Sequence, residues 1–278
     1  MIKVLEPGLF STIQDLGRKG YRDKGVPLSG AMDSHSAALA NTLVGNPEGA
    51  AVMETTMTGP KLQFDGETVF AITGGSGSLM LNGEEIQPVR AYKAKRGDIL
   101  DMGRSNNGLR AYLAVRKGFR TVEVLGSRSW YVPLTPSSHL KKGDILPVEV
   151  YSGELPKSRR VPKPVDFSKK RLKACKGPEF TLLSTQQQRQ LKTGIFTVAK
   201  ENNRMACQLN ENLLPHEMSI LTSATLPGTV QLTPAGKMII LMRDAQTTGG
   251  YPRILQLEEE AICLLAQKHT GEEIMFSF

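Results

Sequence analysis

Several features are scarce in this sequence, and each scarcity argues against a class of protein. The 278 residues include only three cysteines, without close spacing, which suits a reducing cytoplasm better than a disulfide framework. No apolar run approaches the ~18 residues that a membrane helix needs. The N-terminus, MIKVLEPGLF, lacks the long apolar core of a secretory signal. We therefore expect a cytoplasmic protein without a membrane-spanning segment.

Metal-binding and nucleophile motifs are also missing. The four histidines lie far apart and form no i, i+4 pair, so no metal site is expected. There is no G-x-S-x-G elbow, and no cysteine has a histidine near it in sequence. The segment GGSGS at 74–78 lacks the Lys-Ser/Thr that completes a phosphate loop, so it is predicted to connect two strands of a hairpin.

The net charge of +8 is concentrated in one segment. Residues 157–173 carry eight basic residues against Asp166, whereas the remaining chain holds 27 basic and 26 acidic residues. The basic residues are Lys157, Arg159, Arg160, Lys163, Lys169, Lys170, Arg171 and Lys173. Prolines within the segment favour a solvated linker, with docking of an acidic partner as an alternative. Phe167 is the only aromatic residue among these charges, which does not make a base-stacking platform, so nucleic-acid binding is not expected.

Short alternating segments dominate the sequence, which predicts a mainly β fold with two short helices. The predicted strands lie at 68–74, 78–86, 91–103, 109–119, 195–209, 228–234, 237–242, 261–267 and 272–278. Asn82-Gly83 inside the second of these is the strongest short hairpin signal. The helices are predicted from Asp33 to Val44 and over 184–192, with Asp33 or Ser34 capping the first and Ser184 the second.

The two halves of the chain resemble each other faintly. KRGDILDM (95–102) and KKGDILPV (141–148) share a Gly-Asp turn that leads into an apolar strand. Each half also has one helix followed by strands. This favours two similar β domains with the basic segment between them, although Gly-Asp turns also recur by chance in β proteins.

Three polar loops are the candidates for a binding site. RDAQTTGGYP (243–252) follows a buried strand and is longer than a turn requires. In it, Asp244 and Gln246 can hold an amide-like solute, Thr247 adds a hydroxyl, and Gly249-Gly250 lets backbone amides approach. Tyr251 with Pro252 stiffens the exit of this loop. An ordinary long surface loop is the alternative.

The other two loops lie near the N-terminus. Ser29 and Gly30, before the first helix, can bind a carbonyl or carboxylate oxygen together with the helix amides, and Asp33 lies at that helix start. The segment STIQDLGRKGYRDKG (11–25) contains Gln14 among three glycines, which is typical of a folded site loop. We expect these residues to lie beside the 243–252 loop. A helix cap without a ligand is the alternative.

At these loops the sequence resembles a known family. VLEPGLFSTIQDLGRKGY, GVPLSGAMD, NTLVGNPEGAAVMETTMTGPKLQF and DAQTTGGYP are together similar to the KipA or allophanate-hydrolase-subunit-2 family. This is the biotin-dependent-carboxyltransferase-like group that includes the C component of bacterial 5-oxoprolinase. The resemblance covers most of the chain, from Val4 to Phe276.

The resemblance implies a fold and a function. The fold would be two cyclophilin-like β-barrel domains with short helices, at residues 1–160 and 161–278. The chain would act with a KipI-like subunit and a LamB/YcsF-like subunit, and the assembly would use ATP to hydrolyse 5-oxo-L-proline to L-glutamate. Alternatives are a biotin-dependent carboxyltransferase component of the urea type, which would need a separate biotin carrier, and a non-catalytic antagonist of a KipI-like kinase inhibitor.

The family pattern also indicates a catalytic pair, with some departures. Arg204 matches a segment that usually reads Ser-Asp-Arg-Met-Gly, and we expect Arg204 and Asp244 to take part in catalysis. Here Asn202-Asn203 replace Ser-Asp, and Thr222-Ser223-Ala224 replaces Ser-Glu-Gly. If the lost acids bind substrate or act as a base, this protein has altered specificity or lower activity.

Overall fold

The computed structural model describes residues 1–156 and 163–278. The described residues form two compact units, one of residues 1–18, 29–156 and 163–165 and one of residues 19–28 and 166–278. The boundary expected between 160 and 161 and the basic residues Lys157, Arg159 and Arg160 lie outside the described residues. The fold is mainly β, as the alternating segments predict. No helix in the described part is long and apolar enough to span a bilayer.

The described residues contain twenty strands in chain order. They are β1 (Ile2–Glu6), β2 (Phe10–Gln14), β3 (Val52–Thr56), β4 (Lys61–Phe64), β5 (Thr68–Gly77), β6 (Leu79–Leu81), β7 (Glu84–Ile86), β8 (Ala91–Ala94), β9 (Ile99–Asp101), β10 (Ser105–Val115), β11 (Ile145–Leu146), β12 (Arg171–Lys176), β13 (Phe196–Asn202), β14 (Ala206–Leu209), β15 (Ser223–Ala224), β16 (Thr229–Leu232), β17 (Met238–Leu241), β18 (Thr248–Gly249), β19 (Arg253–Leu257) and β20 (Glu273–Ser277). Two single 3-10 turns occupy Arg22–Lys24 and Phe180–Leu182.

Both predicted helices are present and begin at the predicted caps. Helix α1 spans Ser34–Leu43, and the Asp33 side chain accepts a hydrogen bond from the Ser36 amide. Helix α2 spans Thr185–Thr193 and begins with a reciprocal capping box, in which Ser184 bonds the Gln187 amide and the Gln187 side chain bonds the Ser184 amide. These side chains satisfy amides that the first helical turn leaves unpaired.

The strand prediction over 261–267 is wrong, because this segment belongs to helix α3, Glu259–Ala266. Every residue of the helix from Ala261 onward is buried. A continuous apolar run has no polar face to reveal its period, so sequence cannot separate a buried helix from a buried strand. The acids Glu259 and Glu260 in the first turn are the signal that favoured a helix.

The first unit contains two antiparallel sheets. The six-stranded sheet has the order β11-β1-β4-β9-β6-β7, and the five-stranded sheet has the order β2-β3-β10-β5-β8. A core cluster joins buried residues of both sheets, such as Val4 and Leu62 from the first and Ile13 and Leu113 from the second. Helix α1 packs against β5 and β10 through a second, alanine-rich cluster that includes Tyr112.

The β6–β7 hairpin forms as predicted. Leu79, Met80 and Leu81 pair with Ile86, Glu85 and Glu84, and both turn residues have left-handed φ values, 55° for Asn82 and 84° for Gly83. The glycine segment at 74–77 differs from its prediction. It lies within β5 and pairs with β10, so it is part of a strand and does not connect a hairpin.

The second unit contains a closed seven-stranded barrel of order β12-β19-β16-β17-β14-β13-β20. The first and last strands of this order close the barrel by parallel pairing, with Leu172 opposite Phe276. Strands β15 and β18 stand outside the barrel and pair with each other as a two-stranded ribbon. Strand β18 of this ribbon, Thr248–Gly249, is part of the 243–252 loop.

Candidate functional site

The polar loop at 243–252 in the second unit is fixed by tertiary contacts. Thr248 and Gly249 form strand β18, which pairs with Ala224 and Ser223 of β15. The Thr225 amide also donates to the Thr247 carbonyl at 3.0 Å, and the Thr225 hydroxyl donates to the Gln246 carbonyl at 2.7 Å. The loop is therefore a structured element that holds its side chains in place.

The loop begins at a buried ion pair between Asp244 and Arg204. The guanidinium donates from Nε to Oδ2 at 2.7 Å and from Nη2 to Oδ1 at 3.1 Å, and both side chains are 9% exposed. The Asp244 amide also donates to the Arg204 carbonyl at 2.8 Å. The structure thus brings the two predicted catalytic residues together in a bidentate pair, which fixes both planes.

The side chain of Gln231, in strand β16, contacts the loop. This contact was not predicted from the sequence. The Gln231 side-chain oxygen accepts from Gln246 Nε2 at 3.4 Å, and its own amide lies 3.5 Å from the Tyr251 carbonyl. A Cβ on Gly249 would come within 2.4 Å of Gln231 Nε2, so any larger residue here would displace the Gln231 amide. A glutamine inside a buried strand, TVQL, was the available signal.

Two arginines donate to backbone carbonyls of the ribbon and of the residue that follows β15. The Arg22 guanidinium donates to the Thr225 carbonyl, and Arg253 Nη1 donates to the Ala224 carbonyl at 2.8 Å. Glu179 accepts from Arg253 Nε at 2.9 Å and from Nη2 at 2.8 Å. These hydrogen bonds with Arg253 lower the pKa of Glu179 from 4.5 and raise that of Arg253. Glu179 therefore stays ionised and orients Arg253 toward the ribbon.

In the first unit, Asp33 acts as the cap of α1. Its Oδ1 accepts from the Ser36 amide at 2.9 Å and its Oδ2 accepts from the Ser36 hydroxyl at 2.6 Å. The Asp33 amide donates to the Tyr112 hydroxyl at 2.8 Å. This geometry fits the cap that sequence predicted and holds the carboxylate in a single orientation.

Glu54 and Tyr112 complete a buried polar group beside Asp33, and sequence reasoning missed both. They are cross-strand partners on β3 and β10, and Glu54 Oε2 accepts from the Met32 amide at 2.7 Å. Burial raises the pKa of Tyr112 well above 10.0, and the charges of Glu54 and Asp33 raise it further. Tyr112 is therefore a neutral phenol at physiological pH. Glu54 stands as the one acid in VMETT, which was the only local signal.

Ser29 and Gly30 form a tight turn that packs against the segment directly after Gln14 in the first unit. The Ala31 amide donates to the Asp15 carbonyl at 2.9 Å, which joins the two predicted segments. Ser29 has a φ of 57° and Gly30 of 90°, and a Cβ on Gly30 would lie 2.9 Å from the Gly17 amide nitrogen. Left-handed φ values are unfavourable for serine, so surrounding contacts must hold this turn.

Two polar atoms of these two segments are buried without a partner among the described residues. They are Ser29 Oγ and Gln14 Oε1. The Gln14 side-chain nitrogen is satisfied by Thr12 Oγ1 at 3.0 Å and by the Trp130 carbonyl at 3.3 Å. Unsatisfied buried groups cost free energy and mark places where a water or a ligand atom belongs. Ser29 Oγ can donate a hydrogen bond, and Gln14 Oε1 can accept one.

The arrangements in both units suit recognition of a small polar molecule. They offer carboxamides, hydroxyls, close backbone amides and a guanidinium, which can bind an amide group and support developing negative charge. Within residues 1–156 and 163–278, no group of three or more His, Cys, Asp or Glu side chains is arranged to hold a metal ion.

The fold and these loops define a class, the carboxyltransferase-like β proteins. The crystal structure of TTHA0988 superposes with a TM-score of 0.89 at 32% identity, over 100% of this chain and 56% of that chain. The crystal structure of the K. lactis urea amidolyase superposes with a TM-score of 0.88 at 29% identity, over 99% of this chain and 18% of that chain. This chain thus spans about half of TTHA0988.

The chain belongs to the family described as carboxyltransferase domain, subdomain A and B, which matches residues 24–278. It is 32% identical to the C component of 5-oxoprolinase from Escherichia coli K12, over 99% of this chain and 90% of that protein. It is also 43% identical over 149 residues to urea amidolyase of Lachancea kluyveri, which covers 52% of this chain and 8% of that protein. These findings confirm the family resemblance read from the four motifs.

Proposed function

We propose that this chain is a subunit of an ATP-dependent hydrolase of the 5-oxoprolinase type, which converts 5-oxo-L-proline to L-glutamate. The observation that carries the proposal is the similarity to the 5-oxoprolinase C component of Escherichia coli over nearly the whole of both chains. The similarity to the corresponding Haemophilus influenzae protein, 31% over 99% of this chain, agrees with it.

The chain works in this proposal with a KipI-like subunit and a LamB/YcsF-like subunit. ATP is shared with these partners. The only glycine-rich run that resembled a phosphate loop lies inside strand β5 and pairs with β10, so it does not present its amides at a helix N-terminus. This supports a nucleotide site built mainly from partner residues.

The second-unit loop provides the groups that the chemistry needs. Gln246, Thr247 and Tyr251 bind the substrate together with the backbone of Gly249 and Gly250. The lactam of 5-oxoproline presents an N–H and a C=O on one edge, which a carboxamide such as that of Gln246 can pair with.

Arg204 and Asp244 form the proposed catalytic pair. Ring opening places negative charge on the lactam oxygen, and a guanidinium held in a fixed plane stabilises such charge. The bidentate contact with Asp244 supplies that fixed plane.

The first-unit residues Gln14, Ser29, Gly30 and Asp33 are proposed to contact substrate as well. The unsatisfied Ser29 hydroxyl and Gln14 side-chain oxygen support this role, because each lacks a partner in the described residues. Asp33 contributes by fixing the start of α1.

A second candidate is a carboxyltransferase component that moves a carboxyl group from carboxybiotin to urea. The specific observation in its favour is the higher local identity, 43%, to urea amidolyase of Lachancea kluyveri. Urea also presents N–H and C=O groups on one edge, so the same loop suits it. This activity would require a separate biotin-carrying protein.

One experiment separates the two candidates. The chain is combined with its KipI-like and LamB/YcsF-like partners, ATP and 5-oxoproline, and glutamate and ADP are measured. A parallel reaction contains carboxybiotin and urea. Glutamate formation that depends on this chain supports the first candidate. Carboxyl transfer to urea without glutamate formation, beside an active control complex, would show that the first candidate is wrong.

A further inference from the structure

Three arginines at the 243–252 loop and its ribbon each form an ion pair with a carboxylate. The pairs are Arg204–Asp244, Arg243–Glu259 and Arg253–Glu179. Arg22 differs from them. Among residues 1–156 and 163–278, its side chain forms no ion pair and makes one hydrogen bond, to the Thr225 carbonyl. Its positive charge is therefore not neutralised by an acid of the described chain.

The Arg22 guanidinium is partly buried but can still be reached by a solute. Burial lowers the pKa of Arg22 from its ordinary value, without an opposing contribution from a carboxylate. Its Nε and Nη1 atoms are not among the buried atoms that lack a partner, so they remain accessible to solvent. A guanidinium binds a carboxylate through two parallel N–H donors. An anion at this position would therefore restore interactions that the guanidinium loses on burial.

Arg22 lies next to the residues proposed to bind the amide of the substrate. Its partner Thr225 is bonded directly to the loop. The Thr225 amide donates to the Thr247 carbonyl at 3.0 Å, and the Thr225 hydroxyl donates to the Gln246 carbonyl at 2.7 Å. The single residue Thr225 thus connects the guanidinium to the backbone of both loop residues.

The chemistry of 5-oxo-L-proline calls for a cation at such a place. Its carboxylate is attached to the ring carbon that is bonded to the lactam nitrogen. A loop that binds the lactam N–H therefore holds the carboxylate close to the same contact, and a guanidinium beside Gln246 can reach it. Urea has no anionic group, so a cation here would not help to recognise urea.

We propose that Arg22 binds the carboxylate of the substrate and selects cyclic amides that carry a carboxylate beside the N–H group. This inference rests on the proposed function, because it takes the 243–252 loop as the amide-binding element. Nη2 stays bonded to the Thr225 carbonyl, and the remaining donors bind the carboxylate oxygens. Removal of the guanidinium and removal of the carboxylate should then have equal effects, since they are two halves of one contact.

The test compares two substrates in the complex with the KipI-like and LamB/YcsF-like partners and ATP. They are 5-oxo-L-proline and 5-oxo-L-prolinamide, in which a neutral carboxamide replaces the carboxylate. The ring-opened products, glutamate and its α-amide, are measured by chromatography. With the unmodified chain, we expect kcat/KM for 5-oxoproline to exceed that for the amide by ~30-fold, which is the size expected for a hydrogen bond between charged groups.

Variants of the 3-10 turn test the contact. Arg22→Gln should lower kcat/KM for 5-oxoproline ~30-fold and change that for 5-oxoprolinamide less than ~2-fold, so the preference disappears. Arg22→Lys keeps the charge but not the forked geometry, so a preference of ~3- to 10-fold should remain. A purely structural role of Arg22 would lower both substrates equally, because both need the same loop.

Lys24→Gln is the matched control. Lys24 lies in the same turn, and its Nζ lies 5.5 Å from the centre of the Tyr21 ring. This change removes one positive charge from the turn and should leave the preference for 5-oxoproline unchanged.

Four results overturn the inference while the proposed function stands. They are no preference with the unmodified chain, a full preference in Arg22→Gln, an equal loss for both substrates in that variant, and an equal loss of preference in Lys24→Gln. If Arg22→Gln does not fold, Arg22→Lys decides, and an undiminished preference counts against a forked contact. If the complex with the unmodified chain forms no glutamate, the proposed function is wrong and this inference falls with it.

Discussion

Removal of one partner of the Arg204–Asp244 pair should destabilise the second unit strongly. Each side chain is 9% exposed, and two hydrogen bonds of 2.7 and 3.1 Å join them. Asp244→Ala leaves a guanidinium buried without its anion, and the loss of one member of such a pair costs about 3–5 kcal/mol. We expect Asp244→Ala and Arg204→Ala to fall in this range.

Replacement of both partners by apolar residues should cost less. The double variant Arg204→Met with Asp244→Leu leaves no uncompensated charge, so its free energy of unfolding should lie closer to that of the unmodified chain than either single variant. The matched control is the barrel pair Lys170–Glu273, whose side chains are 53% and 44% exposed at a distance of 2.8 Å. Its removal should cost less than about 1 kcal/mol.

The assay is urea unfolding followed by far-UV circular dichroism, with hydrogen exchange of peptides from residues 166–278. Tryptophan fluorescence does not serve here, because the only tryptophan lies in the first unit. The reasoning is refuted if Asp244→Ala costs no more than the Lys170–Glu273 control, or if the double variant is less stable than either single variant.

Two further predictions concern the ribbon. Because Arg253 lowers the pKa of Glu179 below 4.5, the stability that this carboxylate contributes is present above its unfolded pKa and is lost as pH falls through the lowered folded value. Glu179→Gln should therefore lose less stability than the unmodified chain between pH 6 and about pH 3, and equal losses in thermal unfolding would contradict this. Gly249→Ala should displace the Gln231 amide and cost about 1 kcal/mol. Gly250→Ala, with no atom within 4 Å of its added Cβ, should leave the unfolding temperature unchanged, and a similar drop in both would refute the packing argument.

Local signals allowed much of the fold to be predicted. The Asn82-Gly83 turn and the caps at Asp33 and Ser184 depend on contacts between residues only a few positions apart. Such local contacts can be predicted from the sequence alone. Helix α3 could not be separated from a strand because its residues from Ala261 to Ala266 are all buried. Because these residues are all apolar, the 3.6-residue period of a helix cannot be recognised in the sequence.

The site could be predicted only in part. The loop residues Gln246 and Thr247 stood out because the polar segment after the buried strand is longer than a turn requires, and Arg204 followed from the family motif. Gln231 and Glu54 could not be assigned, because their partners Gln246 and Met32 lie in loops 15 and 22 residues away along the chain. Tertiary packing decides such contacts, and local sequence patterns do not specify it.

The central claim is tested most directly by the steady-state rate of glutamate formation in the assembled complex containing Gln246→Ala. The account predicts that this variant raises KM for 5-oxoproline and lowers kcat/KM by ~10-fold or more, while Glu273→Gln behaves like the unmodified chain. An unchanged kcat/KM in Gln246→Ala, measured in a complex that turns over normally, would contradict the assignment of substrate binding to the 243–252 loop.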